Sequence, residues 1–267
     1  MLGELTDRVI LVTGASEGIG ASISRKLAGL GATLVLCSRN LEKLREFAED
    51  KTFSGSDLTL INQDLATSSG VEKCVELLLQ KHGRIDAIIN NVGGAVGRGV
   101  LDDLSDDNWI DTYQINVMSL VRLVRLLKPY LIQSSHSRIV TISSVIASEP
   151  GFENPHYASS KAALANLTKY LANLLSEFQI TVNSVSPGAI RTEGFTKWIN
   201  NFGSTKGPKG FSEAEVLIQN IEKSIPLGSV GESEIVADMV AFLMSDKAKW
   251  ITGSNFRLDG GKNRHIF

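Results

Sequence analysis

Two hydrophobic periodicities alternate along this chain. Largely apolar, often β-branched runs occur at Val9–Val12, Thr33–Cys37, Leu58–Gln63, Ile85–Asn90, Arg138–Ile142, Thr181–Val185 and Ser254–Leu258. The first of them, Val9-Ile10-Leu11-Val12, has no polar alternation, as befits a strand covered on both faces. Between the runs, apolar residues recur three and four positions apart. Ile19, Ile23, Leu27 and Leu30 mark one helix, which Gly31 stops. Leu41–Asp50, Val71–Lys81, about Ser105–Ser134 (with Pro129 near its end) and His156–Phe178 read as further helices. This alternation predicts an α/β fold: one doubly wound parallel sheet of about seven strands with helices on both faces, and 1–267 as a single domain. No repeat, low-complexity tract or linker interrupts it. The least regular stretch, Ile190–Ser212, holds Gly203, Gly207, Pro208 and Gly210. Its length predicts a mobile substrate loop at 190–212.

Composition then removes several classes. With 27 basic against 29 acidic side chains and a net charge of −2, there is no field for nucleic acid. No apolar run approaches the roughly 20 residues that cross a bilayer, so no membrane is expected. Met1–Asp7 carries two acids and no basic n-region, which is not a signal peptide and points to the cytoplasm. Cys37 and Cys74 fall inside elements and read as reduced core residues. Histidines 82, 136, 156 and 265 show no metal-ligand spacing, and no metal is expected.

Chemistry concentrates at a few positions. The run Thr13-Gly14-Ala15-Ser16-Glu17-Gly18-Ile19-Gly20 joins the first strand to the first helix. Glycines let the backbone turn tightly there, and a helix N-terminus offers free N–H groups to a pyrophosphate. After the second strand stand Ser38, Arg39 and Asn40, with no acid. An acid would hold a ribose diol; Arg39 instead suits a 2′-phosphate, with Ser38 adding a donor. This predicts NADP(H), with NAD(H) as the alternative. Tyr157 and Lys161, four apart at the start of a helix, share one face. An ammonium there is expected to lower the phenol's pKa toward the working range.

The spacing T-G-x-x-x-G-x-G resembles the short-chain dehydrogenase/reductase family, and the likeness runs down nearly the whole chain. Asn90-Asn91-Val92-Gly93 is similar to that family's Asn-Asn-Ala-Gly segment, with valine for alanine near the adenosine. Asp64-Leu65 matches its adenine-contacting pair, and Pro187-Gly188, Ile190 and Thr192 the segment that holds the nicotinamide carboxamide. Leu258-Asp259-Gly260-Gly261 is typical of its close. Ser144 stands 13 residues before Tyr157, the family's spacing for its serine (157 − 144 = 13), with Ser143 the competing choice.

The resemblance implies a Rossmann-type domain with catalytic Asn116, Ser144, Tyr157 and Lys161. It implies a cofactor site of Gly14, Ser16, Gly18, Ile19, Gly20, Ser38, Arg39, Asp64, Leu65, Asn91, Gly93, Tyr157, Lys161, Pro187, Gly188, Ile190 and Thr192. Tyr157 would exchange a proton with the substrate oxygen and Ser144 would hydrogen-bond that oxygen. Lys161 would contact the nicotinamide ribose, and Asn116 would fix a water behind Lys161. Glu17 departs from NADP-using relatives, which often place a base there. The expected reaction is hydride transfer between nicotinamide and a carbonyl or secondary alcohol in a small molecule, with a 3-oxoacyl thioester first and a sugar or polyol as the alternative. A non-catalytic NADP(H) redox sensor is the reading of another class. An acyl carrier protein is an open partner, because Lys197, Lys206 and Lys209 make 195–211 basic, while Phe195, Trp198 and Phe202 can cap an apolar substrate. Ten apolar residues between Tyr113 and Leu127, with the apolar helix from Tyr157, exceed what one sheet covers and predict a homotetramer.

Overall fold

The computed structural model describes residues 5–202 and 213–264, with backbone only at 201, 202 and 213. Seven strands form one parallel sheet: β1 (Val9–Thr13), β2 (Thr33–Ser38), β3 (Leu58–Asn62), β4 (Ala87–Asn90), β5 (Arg138–Ile142), β6 (Thr181–Pro187) and β9 (Asn255–Leu258). Their order is β3-β2-β1-β4-β5-β6-β9, so the sheet reverses direction between β1 and β4. A small parallel pair, β7 (Ile190–Arg191) and β8 (Gly231–Glu232), lies outside it.

The absence of alternation in β1 has its cause here. Ile10 and Val12 join one core with α1 (Gly18–Ala28), α2 (Leu41–Ala48) and α9 (Ser233–Met244). Val9 and Leu11 join the other with α3 (Ser68–His82), α5 (Ser119–Leu131) and α6 (Pro155–Leu175). Both faces are covered, so both must be apolar. Cys37 and Cys74 are free and buried in the second core.

Two expectations need correction. The helix read across 105–134 is two helices, α4 (Asp106–Tyr113) and α5, joined by a wide π-type turn at Gln114–Met118. Asn116 lies in that turn, and such turns insert a residue that re-aims a side chain. The stretch 190–212 is not an irregular loop where it is described. It forms β7 and then α7 (Glu193–Phe202), which Thr192 caps by accepting from the Phe195 N–H at 3.1 Å and which buries Ile199. Lys206, Lys209 and Phe211 lie outside the described residues. The helices α8 (Glu213–Lys223) and α9 have no counterpart in the sequence reading between the sixth and last strands, although α9 is the most apolar helix on its face.

Candidate active site

The carboxyl ends of β1, β2, β4 and β5 open on one cleft of about 560 Å³, at the place where the strand order reverses. Ligands in open α/β sheets bind at that switch point. The glycine turn forms its floor. Gly14 (φ +62°) and Gly18 (φ +55°) adopt left-handed conformations that side chains disfavour. A Cβ on Gly20 would overlap the Gly14 carbonyl and the Asn91 amide. Asn91 clamps this turn to β4, donating to the carbonyls of Thr13 (3.1 Å) and Gly14 (3.0 Å). Glu17 gives α1 no side-chain cap, which leaves the first-turn N–H groups facing the cleft. Such a cradle fits a dinucleotide's phosphates.

Of the residues expected to hold the cofactor, Gly14, Ser16, Gly18, Ile19, Ser38, Arg39, Leu65, Asn91, Gly93, Tyr157, Lys161 and Thr192 line this cleft. Gly20, Asp64, Pro187, Gly188 and Ile190 do not. Gly20 backs the turn. The Asp64 carboxylate accepts the Ala66 N–H at 3.0 Å. Gly188 donates its N–H to Leu258 at 2.9 Å, which ties the end of β6 to β9, and Ile190 is buried in β7. Pro187, Gly188 and Ile190 lead the chain to Thr192 without lining the cleft themselves.

The corner after β2 holds more than the sequence reading assigns to it. The hydroxyls of Ser16 and Ser38 are 2.9 Å apart, and Asn62 holds the turn by donating to the carbonyls of Ser38 (3.0 Å) and Arg39 (2.8 Å). Arg39 is exposed on the rim. Lys43 lines the same corner and pairs with Glu17 at 2.7 Å, which raises the lysine's pKa. Glu17, which by itself argues against a phosphate here, is thereby matched by a cation. The signal for Lys43 was readable: a lysine in the first turn of α2 opposes the helix dipole.

Across the cleft lies the reacting corner. Asn154 and Pro155 start α6, and its first turns carry Tyr157 and Lys161. The Ser144 hydroxyl accepts the Ile146 N–H at 3.3 Å and lies near enough to the Tyr157 phenol to lower its pKa. Ser143, the competing serine, is buried and donates to the Lys161 carbonyl at 3.2 Å, so it holds the helix rather than the phenol. Lys161 is buried, donates to the Ile142 carbonyl at 2.8 Å and sits 5.6 Å from the centre of the Tyr157 ring.

The electrostatics reverse one expectation. Burial pushes the Tyr157 phenol up to about 12, against a smaller lowering by Ser144, and pushes the Lys161 ammonium down to about 8. The ammonium is turned to a carbonyl and over the ring face, and desolvation outweighs its pull on the phenol. Tyr157 is therefore a protonated acid at neutral pH. Asn116 sits behind both. Its amide accepts the Gly94 N–H (3.0 Å) and donates to the carbonyls of Gly94 (2.7 Å) and Thr112 (2.8 Å). These bonds make it a clamp on the loop after Gly93.

A family model described as Enoyl-(Acyl carrier protein) reductase matches residues 14–263. The chain belongs to the short-chain dehydrogenase/reductase family, and is an oxidoreductase of the kind that acts on alcohols and carbonyls with NAD(P). Among curated relatives, it is 31% identical to 2,3-dihydro-2,3-dihydroxybenzoate dehydrogenase of Bacillus subtilis (strain 168), covering 95% of each chain. It is also 31% identical to the 3-oxoacyl-[acyl-carrier-protein] reductase FabG of Escherichia coli (strain K12), over 95% of this chain and 96% of that one. A solved structure of L-sorbose reductase from Gluconobacter frateurii, complexed with NADPH and L-sorbose, superposes with a TM-score of 0.91 at 30% identity and 99% coverage of both chains.

Proposed function

We propose that this oxidoreductase is an NADP(H)-dependent carbonyl reductase with Tyr157 as proton donor. One observation carries the reading: Tyr157 and Lys161, on the first turns of α6, line the same cleft that the glycine turn floors. The nicotinamide supplies the hydride when bound. Tyr157 gives its proton to the substrate oxygen, and the Ser144 hydroxyl steadies the charge that develops there. Lys161 lies close enough to the cleft to meet a ribose, and Asn116 holds the loop beside it. Arg39, Ser38 and Lys43 favour a 2′-phosphate, and NADPH accompanies the similar L-sorbose reductase.

For the substrate, a 3-oxoacyl thioester is the first reading, in line with the likeness to FabG. A sugar or polyol is the second, because the superposition on L-sorbose reductase covers the whole chain. Cytoplasmic location and a homotetramer belong to the same proposal. The test is a panel including acetoacetyl-CoA and L-sorbose, run with NADPH and NADH on the native enzyme and on Tyr157→Phe. The variant should bind NADPH normally and lose at least about a hundredfold in turnover. Near-native turnover would remove Tyr157 from its role, and NADPH binding without turnover of any carbonyl would favour a sensor.

A further inference from the structure

The loop that continues the cleft wall beyond Gly93 is exposed from Ala95 to Arg98, yet its backbone is held throughout. Asn116 holds Gly94. The Val96 N–H donates to the Thr112 hydroxyl at 3.0 Å, and the Val96 carbonyl is 3.0 Å from His156 Nε2. At Gly99 the carbonyl accepts the Asn154 N–H at 2.8 Å, and the N–H reaches the Asn154 side chain at 3.4 Å. Three of these holds come from Asn154 and His156, at the start of α6, immediately before Tyr157.

Both residues carry a local cost. A carbonyl only accepts, so His156 Nε2 bears the proton and Nδ1 is left with a bare lone pair. Nδ1 is buried with no partner among the described residues, and the ring is fully buried 5.9 Å from that of Trp109. An aliphatic side chain would fill this place without orphaning a polar atom. Asn154 adopts a left-handed conformation (φ 58°, ψ 52°). Such departures persist where the surrounding structure demands them, and they gather at functional sites.

We infer that His156 is a positioning residue: with Asn154 it staples loop 93–99, which runs on from Gly93 of the cleft, to the turn of α6 that carries Tyr157, so that this loop and the proton donor are held as one body. This rests on Tyr157 being the proton donor, and its test stands apart from that of Tyr157→Phe. His156→Leu removes the donor at similar volume, while His156→Gln retains an N–H of similar reach. Hydrogen exchange read on a peptide covering 93–104 should speed up in His156→Leu and return toward native in His156→Gln. With the best carbonyl substrate of the panel, KM should rise about tenfold in His156→Leu, since ångström-scale misplacement is enough for such losses. NADPH affinity should stay within about twofold, because the glycine turn and the corner after β2 that suit its phosphates lie outside the staple. Native exchange in His156→Leu, native kinetic constants despite faster exchange, or equal behaviour of the two variants would each overturn the inference. If His156→Leu does not fold, Asn154→Gly, which keeps the left-handed backbone and removes only the side-chain contact to Gly99, carries the same exchange and KM readouts.

Discussion

Lys161 is 3% exposed, and its ammonium has been moved from the ordinary 10.5 to about 8 by burial. The unfolded chain therefore binds more protons between pH 8 and 10.5, and stability rises with pH across that window. Relative to Lys161→Met, the native chain should gain up to about 3 kcal/mol over it. Denaturant titrations of both proteins at pH 7.5, 9 and 10.5 read the difference, and a constant gap would deny the shift. Where turnover needs the charged ammonium, carbonyl reduction should fall as pH climbs through about 8, and Lys161→Met should lose both turnover and NADPH affinity. At the opposite corner, Arg39→Asp should erase or invert the preference for NADPH over NADH. Loss of a charge-assisted pair costs roughly 1.5–3 kcal/mol, or about tenfold to a hundredfold in affinity. Equal native affinity for the two cofactors would contradict the role of Arg39.

The first βα turn and the π-type turn carry the site at the scale of elements. Gly20→Ala places a Cβ against the Gly14 carbonyl, so the turn must open. NADPH affinity should fall by at least about tenfold while the far helices keep their structure, since only the backbone facing the pyrophosphate has to move. Isothermal titration and circular dichroism separate the two effects. Asn116→Leu strands Gly94 and Thr112 groups that its amide now satisfies. A loss of about 3 kcal/mol is expected from such orphaned groups, with turnover damaged more than NADPH binding. That turn was legible only as an amide misplaced in an apolar helix. Two of the side chain's three bonds go to Gly94, 22 residues upstream, and nothing in local periodicity reports them.

For the whole molecule, the apolar excess between Tyr113 and Leu127 has a definite orientation. Ile115, Leu120, Leu123, Val124 and Leu127 are buried within the subunit, while Tyr113, Val117, Met118 and Val121 are half-covered and Leu126 is exposed. On α6, Ala162, Asn166, Tyr170 and Leu174 form an exposed stripe at a spacing of four. Half-covered Ala163 and Leu167 flank it, and the two alanines allow close approach at its start. A second exposed set, Leu227, Ile235 and Trp250, lies elsewhere on the surface. Two such sets of exposed apolar residues would suit two two-fold interfaces, and a closed assembly of four chains is the expected outcome. Sedimentation at micromolar concentration should give a species near four chains, and Tyr170→Asp should reduce it to dimers or monomers. A native monomer would mean that these faces meet solvent.

What the chain determined by itself was everything local: strand against helix, because burial on one face or two sets the period of apolar residues; the glycine turn, because only glycine takes its backbone angles; and Tyr157 with Lys161, because a helix brings fourth neighbours together. Three features were decided only by the tertiary structure. Ser143 is tied to α6, because the fold brings its hydroxyl within 3.2 Å of the Lys161 carbonyl. The phenol's pKa moves up instead of down, because desolvation depends on how many groups surround a site and not on which residue stands four positions away. The stretch after Ile190 folds into α7, whose Ile199 is buried against the rest of the subunit. Long-range packing sets burial, and burial sets the electrostatics of this cleft.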